Sequence, residues 1–294
     1  MESPSNCDLM YLRVVLRIVF FEVFFGMIPY NYLILSVGLF LLMIVGSTIM
    51  IMTEGDKALF KQPPPNYEDC PICFLRLPTY HGGWQYRTCC GKVVCSGCIH
   101  ACDKNDHLKC PFCRTLAPKS DEETIKIMTK RMEVGDALAI YSHGCDYYAG
   151  TCGVAQDYAK AFELHLSASD LGYAAAHHSV GFSYHTGRGV EVDKKKAMYY
   201  WNLAAREGDT SSRHNLGNTE VQAGNVNRAL KHFMIAVRDG NAKSLEETKR
   251  LYTNGYATKD KYTKALRLYQ SYLSEIKSIQ RDEAAAYDDK NRYY

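Results

Sequence analysis

The sequence predicts a mainly α-helical protein in three parts: an apolar N-terminal helix or helical hairpin, a small cysteine-rich module able to hold two metal ions, and a C-terminal α-solenoid of about four helix–turn–helix units. Three observations carry this. Residues 31–53 contain no charged side chain. Nine of the twelve cysteines fall between residues 70 and 113. Alanines recur at 161, 197, 229 and 265, in steps of 36, 32 and 36. With 47% apolar and 23% charged residues among 294, the chain is neither wholly disordered nor wholly membrane-embedded. A net charge of +3, from 35 Lys and Arg against 32 Asp and Glu, is too mild to point to nucleic acid.

The first part spans residues 1–60. From Tyr32 to Met52 the chain reads YLILSVGLFLLMIVGSTIMIM. At about 1.5 Å per residue this helix would cover roughly 31 Å, one bilayer hydrocarbon core. Its length and its distance from the N-terminus argue against a cleaved signal peptide. Residues 9–28 form a second apolar stretch, interrupted by Arg13, Arg17 and Glu22. The two arginines share a face near its start, where they can snorkel to headgroups, whereas Glu22 is costly at mid-membrane. Pro29, Tyr30 and Asn31 read as a turn. Two arrangements satisfy this pattern: a helical hairpin, or one span over 32–52 preceded by an interfacial amphipathic helix. Arg13 and Arg17 on one side balance Lys57 and Lys61 on the other, so basic residues do not set the orientation.

Residues 61–69 begin with KQPPPN, a stiff linker. The module follows at 70–114. Its cysteines run Cys70-x2-Cys73, Cys89-Cys90, Cys95-x2-Cys98 and Cys110-x2-Cys113. A Cys-x-x-Cys knuckle offers two thiolates to one tetrahedral ion, and four pairs supply eight ligands, enough for two closed Zn sites. So short a segment has little apolar material, so metal must provide much of its folding energy. Thiolate ligands require a reducing compartment, which places everything after residue 53 on the cytosolic side of a membrane. Cys7, Cys102, Cys145 and Cys152 lack pair spacing and read as free thiols.

The order of pairs resembles a RING finger. That resemblance implies a cross-brace in which Cys70, Cys73, Cys95 and Cys98 hold one zinc and Cys89, Cys90, Cys110 and Cys113 the other. Many RING fingers carry Cys-x-His as the second pair, whereas Cys90-Gly91-Lys92 puts Lys where His would stand, and a protonated Lys cannot ligate. Cys89 then supplies the ligand, or one of His81, His100, His107 and Cys102 replaces it. The family's contact surface for a ubiquitin-conjugating enzyme has counterparts in Ile72, Pro111 and Arg114, the last implied to orient the ubiquitin thioester rather than to react. A nucleic-acid-binding zinc module is disfavoured, because its basic residues form no stripe.

Ser120-Asp-Glu-Glu123 is a capping box that opens a helix of roughly two dozen residues. The solenoid is assigned to 120–275. Gly150-Thr-Cys-Gly-Val-Ala-Gln-Asp157 recurs as Gly187-Arg-Gly-Val-Glu-Val-Asp193, and glycines 172, 208 and 240 repeat the steps of 36 and 32. Periods in the mid-thirties mark α-solenoids. The pattern resembles Sel-1-like repeats, relatives of the tetratricopeptide repeat, and is fullest in Ala176, Gly181, Tyr184, Gly187, Gly189, Asp193, Ala197, Ala204, Ala205 and Gly208. The third copy lacks the Gly-Val-x-x-Asp loop and the fourth the Leu-Gly opening. His177-His178 reads as packing or surface, and the tyrosines as core. Residues 276–294 read as a helix that frays into a polar tail.

Together these features point to a membrane-anchored RING-type ubiquitin ligase, in which the zinc module takes a ubiquitin-conjugating enzyme and the repeats take a protein substrate or adaptor. The endoplasmic reticulum is the membrane suggested by the pairing of ligase and repeats. The rival reading is a non-enzymatic membrane scaffold whose zinc is structural. Neither reading calls for nucleic acid.

Overall fold

The computed structural model describes residues 59–60, 68–79, 81–104 and 109–294. The expected membrane segments at 9–28 and 32–52, the KQPPPN linker and His107 lie outside them. No described helix is long and apolar enough to cross a membrane.

The cysteine module is built from two knuckles and one hairpin. Strands β1 (Trp84–Arg87) and β2 (Lys92–Cys95) pair antiparallel, with Trp84 opposite Cys95 and Arg87 opposite Lys92. Helix α1 (Ser96–Asp103) follows directly, and the Cys95 sulfur caps it by accepting from the Cys98 N–H. The knuckles are near copies. In the first, Cys70 N donates to Leu75 O at 2.9 Å and Phe74 N to Cys70 O at 2.9 Å. In the second, Cys110 N donates to Thr115 O at 2.8 Å and Arg114 N to Cys110 O at 3.0 Å. Phe74 and Arg114 hold the equivalent left-handed position, φ 56° and 62°.

The helical array begins with α2 (Asp121–Glu133), capped by Ser120. Four helix pairs follow: α3 (Ala137–Ala149) with α4 (Tyr158–Asp170), α5 (Ala174–Thr186) with α6 (Lys194–Arg206), α7 (Thr210–Gln222) with α8 (Val226–Arg238), and α9 (Ala242–Thr253) with α10 (Lys259–Ile276). The long helix expected after Ser120 is therefore two helices. Gly135 turns at φ 77°, and the Asp136 carboxylate starts α3 by accepting from the Ala139 N–H.

The periodic alanines form the spine of the array: Ala161, Ala197, Ala229 and Ala265 are all at most 1% exposed. Glycine explains how closely the helices of a pair approach. A Cβ at Gly144 would lie 2.6 Å from His165, one at Gly181 2.6 Å from Trp201, and one at Gly217 2.4 Å from Phe233. Each first helix thus gives up a side chain so that a ring from the second can lie on its backbone. Asp157 and Asp193 cap the second helices of the first two pairs through their carboxylates. His177 and His178 belong to this packing: His177 Nδ1 lies 2.6 Å from Ser169 Oγ, and His178 Nδ1 2.9 Å from Ser212 Oγ in the next repeat. The tyrosines divide, with Tyr272 and Tyr293 buried but Tyr199, Tyr256, Tyr287 and Tyr294 exposed.

Two boundaries differ from the sequence reading. Leu59, assigned to the anchor, is buried against Trp201, Ala205 and Leu216, and its carbonyl accepts from Arg213 Nη1 at 2.6 Å. The helix expected in residues 276–294 is α11 (Ile279–Tyr287), but with the short turn after it the segment packs against α1 of the cysteine module rather than fraying into a tail. Arg281 and Tyr293 within it are at most 1% exposed. The buried residues of α11 are Arg281 and Ala284, whereas its one large aliphatic residue, Ile279, is exposed, so no apolar stripe announces the buried face. Leu59–Tyr294 form one compact unit.

Candidate metal centre

Two groups of four thiols converge. Cys70, Cys73, Cys95 and Cys98 form one; Cys89, Cys90, Cys110 and Cys113 form the other. Within each, all sulfurs lie within 4.8 Å of one another. The first and third pairs meet because the hairpin lays Cys95 beside the first knuckle: Cys95 N donates to Cys70 Sγ at 3.5 Å, and Cys73 Sγ lies 3.8 Å from Cys95 Sγ. The second and fourth meet at the other end of the hairpin, with Cys90 Sγ 4.0 Å from Cys110 Sγ and Cys113 Sγ 3.5 Å from Cys89 Sγ. Cys89 therefore lies inside the second group. His100 instead stacks on Tyr287 at 5.0 Å, and Cys102 Sγ lies 3.7 Å from Arg114 Nη1. All cysteines among the described residues are free of disulfides.

The electrostatics inside each group are those of crowded acids. Hydrogen bonds from Cys95 and then Cys98 draw the Cys70 thiol far below its usual range, while the same contact with Cys70 drives Cys98 far above it. In the second group the Thr115 hydroxyl holds Cys113 down to about 6, whereas burial and then Cys113 push Cys89 up. In each group some thiols are drawn down and others pushed up, because neighbouring sulfurs share their protons.

The two groups differ in their surroundings. Cys70, Cys95 and Cys98 are buried, whereas in the second group Cys110 alone is. Arg281, fully buried, reaches the first group from α11. Its Nη1 donates to Arg76 O at 2.8 Å and Ile276 O at 2.6 Å, and its Nη2 to Leu75 O at 3.4 Å and Cys73 Sγ at 3.9 Å. Arg76 in turn bonds Glu275 at 2.5 Å and stacks on Tyr272, 4.8 Å from its centroid. The Tyr272 hydroxyl accepts from Thr79 N at 2.8 Å. Sequence reasoning missed Arg281 and Tyr272. A signal existed for Tyr272: Ala168, Ala204 and Ala236 recur at 36 and 32, and the next step of 36 reaches Tyr272, a large side chain in place of a small one.

Of the partner-surface residues, Ile72 is 37% exposed, Arg114 is exposed and Pro111 half-buried. Phe74, Phe112 and Leu116 on the same knuckles are also exposed, an unusual amount of apolar surface for so small a module. Elsewhere, Cys145 Sγ lies 3.7 Å from His165 Nε2. Burial pushes Cys145 up to about 11 and His165 down to about 4, so both stay neutral and no thiolate–imidazolium nucleophile forms.

Comparisons with known proteins bear on the helical array. Residues 137–173, 174–209 and 250–271 match the Sel1 repeat. The ERAD-associated E3 ubiquitin-protein ligase component HRD3B of Arabidopsis thaliana is 29% identical over 113 residues, 38% of this chain and 18% of that protein. The chain thus matches less than a fifth of that relative's length. Among solved structures, a Sel1 repeat protein from Oxalobacter formigenes is similar at 28% identity and a TM-score of 0.46, over 52% of this chain and 64% of that one. The protective antigen c5321 of uropathogenic Escherichia coli, with an SLR fold, is similar at 23% identity and 0.48, over 58% and 38%. The C-terminal half is a mainly helical solenoid of Sel1-type repeats.

Proposed function

We propose that this chain is a membrane-anchored RING-type ubiquitin ligase, with two zinc ions held by the paired cysteine groups and a substrate or adaptor held by the repeats. The interleaving of the four pairs, first with third and second with fourth, is the observation that carries the reading. A Zn–S bond of about 2.3 Å puts tetrahedral sulfurs roughly 3.8 Å apart, and the sulfur separations of 3.5, 3.8 and 4.0 Å suit it. The zinc would be structural: it would neutralise four crowded thiolates and fix the knuckles.

The conjugating enzyme would seat on the apolar surface that includes Ile72 and Pro111. Arg114 projects beside the last cysteine, and its planar fork can hydrogen-bond the enzyme and ubiquitin together. The substrate amine attacks the thioester carbonyl and the enzyme's thiol leaves. The ligase contributes orientation and no covalent step. Residues 32–52, with or without 9–28, would anchor the chain in a membrane, the endoplasmic reticulum being the reading the plant relative's name supports. Residues after 53 would then face the cytosol.

One observation favours a second reading. The plant relative is named as a component of a ligase, and residues 137–173, 174–209 and 250–271 of this chain match the Sel1 repeat. A repeat-based adaptor with a structural zinc module would fit it. The separating experiment is autoubiquitination by the full chain in detergent with a panel of conjugating enzymes. A ligase transfers ubiquitin, loses most of that activity in Ile72→Ala and Arg114→Ala at unchanged zinc content, and keeps an intermediate rate in Arg114→Lys. A chain inert with every enzyme is an adaptor.

A further inference from the structure

The helical array carries a groove of about 620 Å³ whose chemistry is divided. Its floor is Phe60, Leu230, Met234, Ile235 and Leu268, and its rim is Lys231, Arg238, Lys261 and Lys264. No carboxylate lines it. Arg238 is engaged with Asp239 at 2.7 Å, which leaves the three lysines, all exposed, as the cations that face solvent there. At Phe60, Lys231 Nζ lies 5.1 Å and Arg228 Cζ 5.5 Å from the ring centroid.

Phe60 also ties the groove, in sequence, to the apolar run. Residues 53–58 separate the apolar run ending at Met52 from Leu59, and seven peptide steps reach at most about 25 Å. Lys57 and Lys61 flank the pair in sequence. Clustered Lys and Arg immediately beside a membrane span attract anionic lipid headgroups, each worth roughly a several-fold gain in binding. The linker that leaves Phe60, KQPPPN, carries no acid, so its charge does not complement the rim.

We propose that this groove binds an anionic phospholipid of the membrane that anchors the chain, the headgroup phosphate between Lys231, Lys261 and Lys264 and an acyl segment on Leu230, Met234, Ile235 and Leu268. The tether rests on the membrane reading of residues 32–52; the charge and shape of the groove do not.

The test uses the full chain in vesicles of phosphatidylcholine alone or with a fifth phosphatidylserine, each doped with a photoactivatable acyl-chain probe of the matching headgroup. The phosphatidylserine probe should label the peptides holding Leu230–Ile235 and Leu268, and the phosphatidylcholine probe should not. Lys231→Glu/Lys261→Glu/Lys264→Glu should cut that labelling roughly tenfold or more, with Lys264→Glu alone as the milder variant. Equal labelling by both probes, or labelling unchanged in the charge reversals, overturns the proposal. So does displacement of the probe by soluble glycerophosphoserine at equal concentration, which would make the ligand a free phosphate. Protection of the groove by an acidic amphipathic peptide without any lipid labelling would make it a peptide site. Flotation with phosphatidylcholine vesicles reads the anchor separately: a chain that floats but leaves the groove unlabelled keeps the anchor and loses the lipid site, and a chain that labels without floating does the reverse.

Discussion

In the helical array, Phe233 lies on the backbone of the neighbouring helix because residue 217 has no Cβ. In the cysteine module, Val94 and Ile99 are the buried aliphatics, and sulfurs from Cys70, Cys95 and Cys98 complete the cluster around them. The first region is ordered by a shape repeated in three of its helix pairs. The second has little apolar volume to be ordered by shape, and under the proposed function zinc between the sulfurs would supply the rest. The same chain therefore contains two regions that fail under different insults, and the difference can be measured.

The largest separation should come from removal of the proposed zinc. A strong chelator, or Cys70→Ser, is expected to abolish hydrogen-exchange protection across residues 70–114, because structural zinc contributes on the order of 10 kcal/mol to small modules. Protection in α3 through α8 should persist. Equal loss in both regions would erase the contrast drawn above.

Arg281→Met tests the seam. It removes donors from three carbonyls and from Cys73 Sγ at a fully buried site, a loss of about 3 kcal/mol in a denaturant titration. Zinc release from the first group should quicken, whereas the second group should keep its rate. A uniform change at both groups would show that α11 acts on the module as a whole.

Acid sharpens the comparison from the other side. Burial holds His165 at about 4 against 6.5 for the free side chain, so the unfolded chain takes up the proton first as pH falls. The stability of the first repeat is full above pH 6.5 and erodes between 6.5 and 4, by up to ~3 kcal/mol. His165→Phe, matching the ring at the equivalent Phe233, should flatten that slope in chelator-treated protein, where the module no longer contributes.

The smallest effect is expected from Gly217→Ala. Its Cβ would sit 2.4 Å from Phe233 and force the pair apart, at about 2 kcal/mol in thermal unfolding. Phe233→Leu in the same chain should restore part of the loss. Zinc content should be untouched in both.

Much of this was legible in the sequence. The alanine and glycine periods located the helix pairs, because a repeat must reuse the same contact and the contact leaves the same residue. The cysteine pairs were legible because pair spacing is a local property of a knuckle, whereas which pairs meet was implied only by the RING resemblance. What stayed hidden was long-range and unrepeated. Arg281 lies over two hundred residues from Leu75 and Arg76, and nothing in the local pattern of α11 marks it as buried. Leu59 and Phe60 were assigned with the anchor at 1–60, since burial against Trp201 and Leu216 has no signature at their own positions. Gly135 was visible as a residue but not as a break, because the helical pattern resumes immediately with the Asp136 cap.

An open solenoid behaves like a coil spring: each turn leans on the next, and its pitch can stretch or tighten with its ends free. Here the ends are tied. The Tyr86 hydroxyl donates to Asp136 at 2.7 Å where the first pair begins, and Arg76 and Thr79 hold Glu275 and Tyr272 where the last pair ends. A spring clamped at both ends cannot change its pitch without loading the clamp. Pulling on the array in an optical trap should therefore meet a stiff, short-travel response that gives way in one step when the clasp opens, and removal of the metal should turn that step into the soft, gradual extension of an unclamped coil.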